Sequence, residues 1–279
     1  MTLCIAWVRK RHISEEICVI ADSCFSGGQR FLAAPKIFPL ERNDCALAGA
    51  GDTFYSFSVV EHIRNAISLN QGLKDRAIDF TDLLHSITDI ANKVLFQEME
   101  KQPKGILGPG FSMIIAGYSW KLKKSVLREL KYNRRTKLMY INQQRTIMKT
   151  PFVVIGDDVP KARYKIFCKL KEEGLQDGDD IDMQPLDVLM EYITDPNFRS
   201  IGGNPQMVKI FPFMNILPFG FYNKDKSISF FGRPLTNYET FPYPIINIET
   251  GEQFYMKGVK DDFELKPEIP KPLIKLHHE

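Results

Sequence analysis

Thr2 is the residue of this chain with the shortest route to covalent chemistry. It opens the apolar run MTLCIAWV at residues 1–8, one position after the initiator methionine. A threonine hydroxyl is a weak nucleophile until a base takes its proton. A threonine at a chain terminus brings its own base, the α-amine, whose ordinary pKa of about 7.7–8.0 leaves a useful fraction unprotonated at neutral pH. Threonine is small enough for the methionine before it to be clipped. The chemistry open to such a residue is acyl transfer: attack on an amide carbonyl, an acyl ester on the hydroxyl, then hydrolysis by water. Asp22 in CVIADS, Lys36 in APKIFPL, and Gly49 and Gly51 in CALAGAGD also sit at the ends or edges of apolar runs. Taken singly they read as turn chemistry, a solvated charge and a tight strand-to-helix turn.

Composition removes several other chemistries. Lysine and arginine number 37 against 34 acidic residues, a net charge of +3, too balanced to announce nucleic acid or a membrane surface by bulk charge. The five cysteines, Cys4, Cys18, Cys24, Cys45 and Cys168, form no CxxC pair and sit mostly in apolar runs, the pattern of reduced thiols in a cytoplasmic protein. The histidines fall in no HExxH or Cys/His spacing, so neither a metal site nor a cofactor is expected. The N-terminal run is too short to span a bilayer, and Arg9, Lys10 and Arg11 follow it, the reverse of a secretory signal.

The elements that must position these residues follow from pattern. LCIAWV at 3–8, ICVIA at 17–21 and CALAGA at 45–50 read as strands covered on both faces. Asp52 caps a helix with Phe57, Val60, Ile63 and Ile67 at helical spacing, and a wider stripe from Leu83 to Leu95 predicts a second helix over 81–100. FSMIIAGYSW at 111–120 reads as a buried strand after a KGILGPG loop. The basic stretch 121–139 holds eight Lys or Arg against one Glu and reads as a ribbon or helix-like excursion, a solvated arm or subunit contact in preference to a nucleic-acid site. KLMYI and PFVVIG resume strand character. Asp158 and Pro160 open a third helix, Pro185 a fourth, and QMVKIFPF at 206–213 is a strand. Beyond residue 215 short β runs alternate with Pro, Gly and Asn turns and end in a proline-spaced tail.

That order, headed by Thr2, resembles the proteasome-type N-terminal nucleophile hydrolases, of which the proteasome beta subunits are members. The resemblance covers about residues 1–215 and is carried in order by Thr2, CVIADS, APKIFPL, CALAGAGDTFYSF, FSMIIAGY, PFVVIGDDVPKARY and SIGGNPQMVKI. It implies an α+β fold, a four-layer αββα sandwich of two antiparallel sheets, with a β-rich extension over 216–279 packed on the same domain or on a neighbouring subunit. It departs where the family has a Gly-Ser-Gly turn, here Gly156, Asp157 and Asp158. It departs again upstream of Ser200, where Asn197 stands in place of the family's aspartate and Asp195 lies two residues further back.

The resemblance implies a catalytic set of Thr2, Asp22 and Lys36: Lys36 favours the deprotonated states of Thr2, and Asp22 orients the ammonium. It places an oxyanion donor on the backbone N–H of Gly49, and Ser200 and Asp157 in supporting positions. The function expected is a threonine-type peptidase or amidase acting in a cytoplasmic homo-oligomer, a ring or stack, with an ATP-dependent unfoldase as a conceivable partner. A catalytically silent scaffold and a hydrolase of non-peptide amides are the alternatives.

Overall fold

The computed structural model describes residues 2–11, 14–101, 110–143, 145–177, 179–213 and 215–256. Met1, residues 104–109 of the expected KGILGPG loop and the proline-spaced tail lie outside the described residues.

Two apolar strands open the chain, β1 (Leu3–Arg11) and β2 (Ser14–Ala21), paired antiparallel with Cys4 opposite Ala21. Every residue from Leu3 to Val8 and from Ile17 to Ala21 is buried, as expected of strands covered on both faces. A long loop leads to β3 (Ile37–Pro39) and β4 (Cys45–Gly51). The chain then turns into α1 (Thr53–Leu69), where the Asp52 carboxylate accepts from the Phe54 N–H at 3.0 Å, the cap expected from the sequence. After the short α2 (Gln71–Lys74) comes α3 (Phe80–Lys101), which buries Leu83, Leu84, Ile87, Ala91 and Leu95 along one stripe.

β5 (Phe111–Ser119), β6 (Lys124–Asn133) and β7 (Leu138–Ile141) form a meander. The basic excursion is therefore a ten-residue inner strand. Val126, Leu127 and Leu130 are buried on its two faces, and most of the charges collect at its ends. The short β8 (Thr146–Ile147) leads into β9 (Thr150–Gly156), then α4 (Val159–Glu172) and α5 (Gln184–Thr194). Asp158 does not cap α4 with its side chain. It adopts a left-handed conformation (φ 52°), and its carboxylate accepts from the Tyr192 hydroxyl at 3.2 Å. The described chain ends with β10 (Gln206–Phe211), β11 (Asn215–Tyr222), β12 (Ile228–Phe230), β13 (Arg233–Pro234), β14 (Ile245–Asn247) and β15 (Gln253–Phe254).

The strands form two sheets. The larger runs β13-β12-β11-β10-β2-β1-β9-β8, with β14 and β15 attached to β11; the smaller runs β3-β4-β5-β6-β7. Both sheets are antiparallel, as expected, and among the described strands one pairing at the edge, β11 with β14, is parallel. One apolar cluster joins Cys4, Ala6, Val19, Ala46, Ile114 and Val153 between the two sheets. A second joins the other face of the large sheet to α4 and α5, and a third joins the small sheet to α1 and α3. No sheet edge marks residue 215: β11 pairs with β10 from residue 215 to 219, and Phe219 and Phe221 belong to the core that α4 and α5 share with the large sheet.

Candidate active site

Asp22 lies one residue beyond the end of β2, where the strand leaves the sheet with its side chain still inside the molecule. Its carboxylate is fully used. Oδ1 accepts from the Leu3 N–H at 2.9 Å and from Lys36 Nζ at 2.8 Å, while Oδ2 accepts from the N–H groups of Cys24 and Gly202, each at 3.0 Å. Lys36 Nζ also donates to the Cys24 carbonyl at 2.6 Å. Both side chains are almost sealed from water, 0% and 1% exposed, so the pair carries two buried charges whose desolvation is offset by mutual attraction and complete hydrogen bonding. A solvated lysine is the commoner reading of a Pro-Lys step in a loop; here the loop turns it inward.

The backbone around the pair is fixed by Gln206, the first residue of β10. Its Oε1 accepts from the Lys36 N–H at 3.0 Å, and its Nε2 donates to the carbonyls of Asp22 at 3.0 Å and Ala34 at 2.8 Å. One buried amide therefore holds both ends of the loop that carries the two charges.

Thr2, 3% exposed, precedes the central strand β1, which lies between β2 and β9. Its carbonyl accepts from the Asp157 N–H at 2.7 Å. Gly156 makes that approach possible. With φ +112° it occupies backbone space closed to L side chains, and a Cβ there would run into the Thr2 carbonyl. The residue after Thr2 bonds the same carboxylate oxygen that holds Lys36, so the start of β1 and the Lys36 ammonium share one anchor.

Thr2 and Lys36 open together onto a cleft of ≈ 280 Å³, part of it open to solvent. Much of its wall is apolar: Phe57 meets Phe25 and Phe38 edge to face, with ring centroids 5.5 Å apart in both pairs, and Val60 and Ala50 lie beside them, while Thr53 and Ser56 add polar residues to the lining. Lys36 Nζ stands 5.7 Å from the Phe25 ring centre. Cys4, beside the ion pair, is no competing nucleophile, because burial pushes its thiol far above the ordinary value, more than the attraction of Lys36 can lower it.

Thr2, Asp22 and Lys36 thus converge, and Gly49 lines the same cleft. The Gly49 N–H, expected at the oxyanion, is engaged within the sheet. It donates to the Lys36 carbonyl at 3.0 Å, because Lys36 lies opposite Gly49 where the β3–β4 ladder runs on by one residue and takes the donor. Asp157 reaches Thr2 through its main chain, and its Oδ2 is buried without a hydrogen-bond partner among the described residues. Ser200 is half-buried in the connection from α5 to β10, two residues before Gly202; no hydrogen bond among the described residues joins it to Thr2, Asp22 or Lys36. Asp195 accepts from the N–H and side-chain amide of Asn197 at 2.9 and 2.8 Å, a local turn contact.

Sequence reasoning missed Cys24, Gly202 and Gln206. The only signal for Gln206 is a polar residue opening an otherwise apolar strand, and Gly202 and Cys24 act through backbone groups that leave no trace in residue type.

Among the described residues no group of three or more His, Cys, Asp or Glu is placed to hold a metal ion, and no helix is long and apolar enough to cross a membrane. No protein-family model matches the chain, and no curated protein sequence matches it.

Proposed function

We propose that this chain is a threonine-type amidohydrolase of the proteasome-like N-terminal nucleophile kind, with Thr2 as nucleophile and its α-amine as base. The reading rests on one observation: a buried Asp22–Lys36 pair whose carboxylate also binds the residue next to Thr2, at the head of a cleft. An ammonium in that position favours the neutral α-amine and the developing alkoxide, and Asp22 keeps the ammonium aimed. Attack of the Thr2 hydroxyl on an amide forms an ester and expels the amine. The α-amine carries the proton across and then activates water for hydrolysis of the ester. Helices outside two sheets that share an inner core support the αββα sandwich implied by the sequence. The phenylalanine wall of the cleft favours an uncharged acyl group on the substrate.

The chemistry needs a free amine on Thr2, so the mature protein should begin at Thr2 by intact-mass analysis. Thr2→Ala should lose hydrolysis of fluorogenic peptide amides together with covalent trapping by a threonine-directed electrophile. Full activity in Thr2→Ala would overturn the assignment.

The catalytically silent scaffold is the second reading, and the committed Gly49 N–H favours it, since a hydrolase needs a donor at the oxyanion. A retained Met1 in the purified protein would decide for it. Assembly into a homo-oligomer is part of the first reading and is checked by native mass spectrometry.

A further inference from the structure

The region beyond residue 215 carries a contact that its strand pattern does not suggest. β12 and β13 are joined by a two-residue turn, Phe231-Gly232, in which both residues have positive φ, 46° and 86°. Two-residue hairpins of this hand favour Asn or Gly at the first position, and a phenylalanine held there is strained. The strain has a counterpart in packing: the Phe231 side chain is set against the core between the two sheets.

Gly232 presses on the residue next to Asp22. A Cβ at Gly232 would overlap the Ser23 Cβ and come within 3.0 Å of the Ser23 Oγ. The Gly232 carbonyl accepts from the Asn204 side-chain amide at 3.2 Å. The Ser23 hydroxyl has two main-chain acceptors within reach, the Asn204 carbonyl at 2.7 Å and the Leu32 carbonyl at 2.8 Å. Ser23 is further held by its N–H on the Gly202 carbonyl and its carbonyl under the Ala34 N–H, each at 3.0 Å. The Gly202 N–H binds Asp22, and Ala34 shares Gln206 with Lys36.

We propose that the Phe231-Gly232 turn is a positioning element for the Asp22–Lys36 pair, so that the chemistry of the N-terminal site depends on a hairpin more than 190 residues away in sequence. This inference rests on the reading of Thr2, Asp22 and Lys36 as the catalytic set. Gly232 acts through Ser23 and touches no reacting atom. A displaced Ser23 carries Asp22 and the Cys24 carbonyl with it, and these are the two acceptors of the Lys36 ammonium.

The test reads Lys36 directly. In ¹⁵N-lysine-labelled protein, a buried ammonium held by two acceptors gives a slowly exchanging Nζ resonance, assigned by its absence in Lys36→Met. Gly232→Ala should shift or abolish that resonance and lower kcat on a peptide amide by roughly 10- to 100-fold with a smaller change in KM. Gly251→Ala is the control. Gly251 is also left-handed (φ +71°) and lies in the same region, but has open space around it, so the resonance should stay. Asn204→Ala removes the side-chain bond to the Gly232 carbonyl without adding atoms, leaves the main-chain carbonyl that faces Ser23, and should shift the resonance in the same sense; it decides the matter if Gly232→Ala does not fold. A wild-type Lys36 resonance in both Gly232→Ala and Asn204→Ala would overturn the proposal. Failure of the hydrolase reading registers separately, as activity surviving Thr2→Ala, because the resonance is measured without substrate.

Discussion

At the residue scale the site is a problem in burying charge. Lys36 and Asp22 are shielded from water, and each polar atom of the pair has a partner placed by the main chain of Leu3, Cys24 or Gly202. Removing one charge leaves the other unpaired in a medium that solvates it poorly. Asp22→Asn should therefore destabilise the protein by about 3–5 kcal/mol in urea unfolding. The double variant Asp22→Asn with Lys36→Met should recover much of that loss while staying inactive. Equal stability of Asp22→Asn and wild type would show that the pair is not buried as described. Thr2, Asp22 and Lys36 could be singled out from sequence by resemblance, and Gly49 with them. The Gly49 donor could not be judged that way, since its use depends on which carbonyl the sheet sets opposite.

At the scale of elements, helix starts and strand ends divide the same way. The Asp52 cap of α1 could be read from the sequence because capping is a contact between residues two apart. Asp79, which heads α3, does more. Its carboxylate accepts from the Thr81 N–H and hydroxyl at 2.9 and 2.6 Å, from the Ser119 hydroxyl at 2.8 Å and from the Lys121 N–H at 3.1 Å, tying the helix to the β5–β6 turn. Burial opposes ionisation of Asp79, but these bonds outweigh it and hold the carboxyl at about 2, below its ordinary 3.8. Its contribution to stability is complete above about pH 4 and is lost as pH falls through 4 towards 2. Stability measured between pH 2 and 5 should be less steep in Asp79→Asn than in wild type, by up to about one proton. Identical slopes would argue that Asp79 is solvated.

At the scale of the molecule, the extension beyond 215 continues the large sheet. β11 pairs with β10, β10 with β2, Phe219 lies opposite Met207, and Phe219 and Phe221 are buried in one cluster with Tyr192. A chain ending at residue 214 should lose its cooperative thermal transition by circular dichroism, because it exposes the edge of β10 and part of the core under α5. A native-like melt of that fragment would show that the extension is dispensable for folding. By itself the sequence determined the order of most strands and of the long helices, the faces of α1 and α3, and Thr2 at the head of the first strand. These are local properties, set by side-chain period and by caps within one helical turn. Only the tertiary structure decided that Asp22 meets Gly202 and Gln206 across separations of 180 and 184 residues, and that a hairpin beyond 230 presses on Ser23. Strands apolar on both faces carry no alternation to specify a neighbour or a register, so these partnerships arise only when the sheet closes in the order β10-β2-β1-β9.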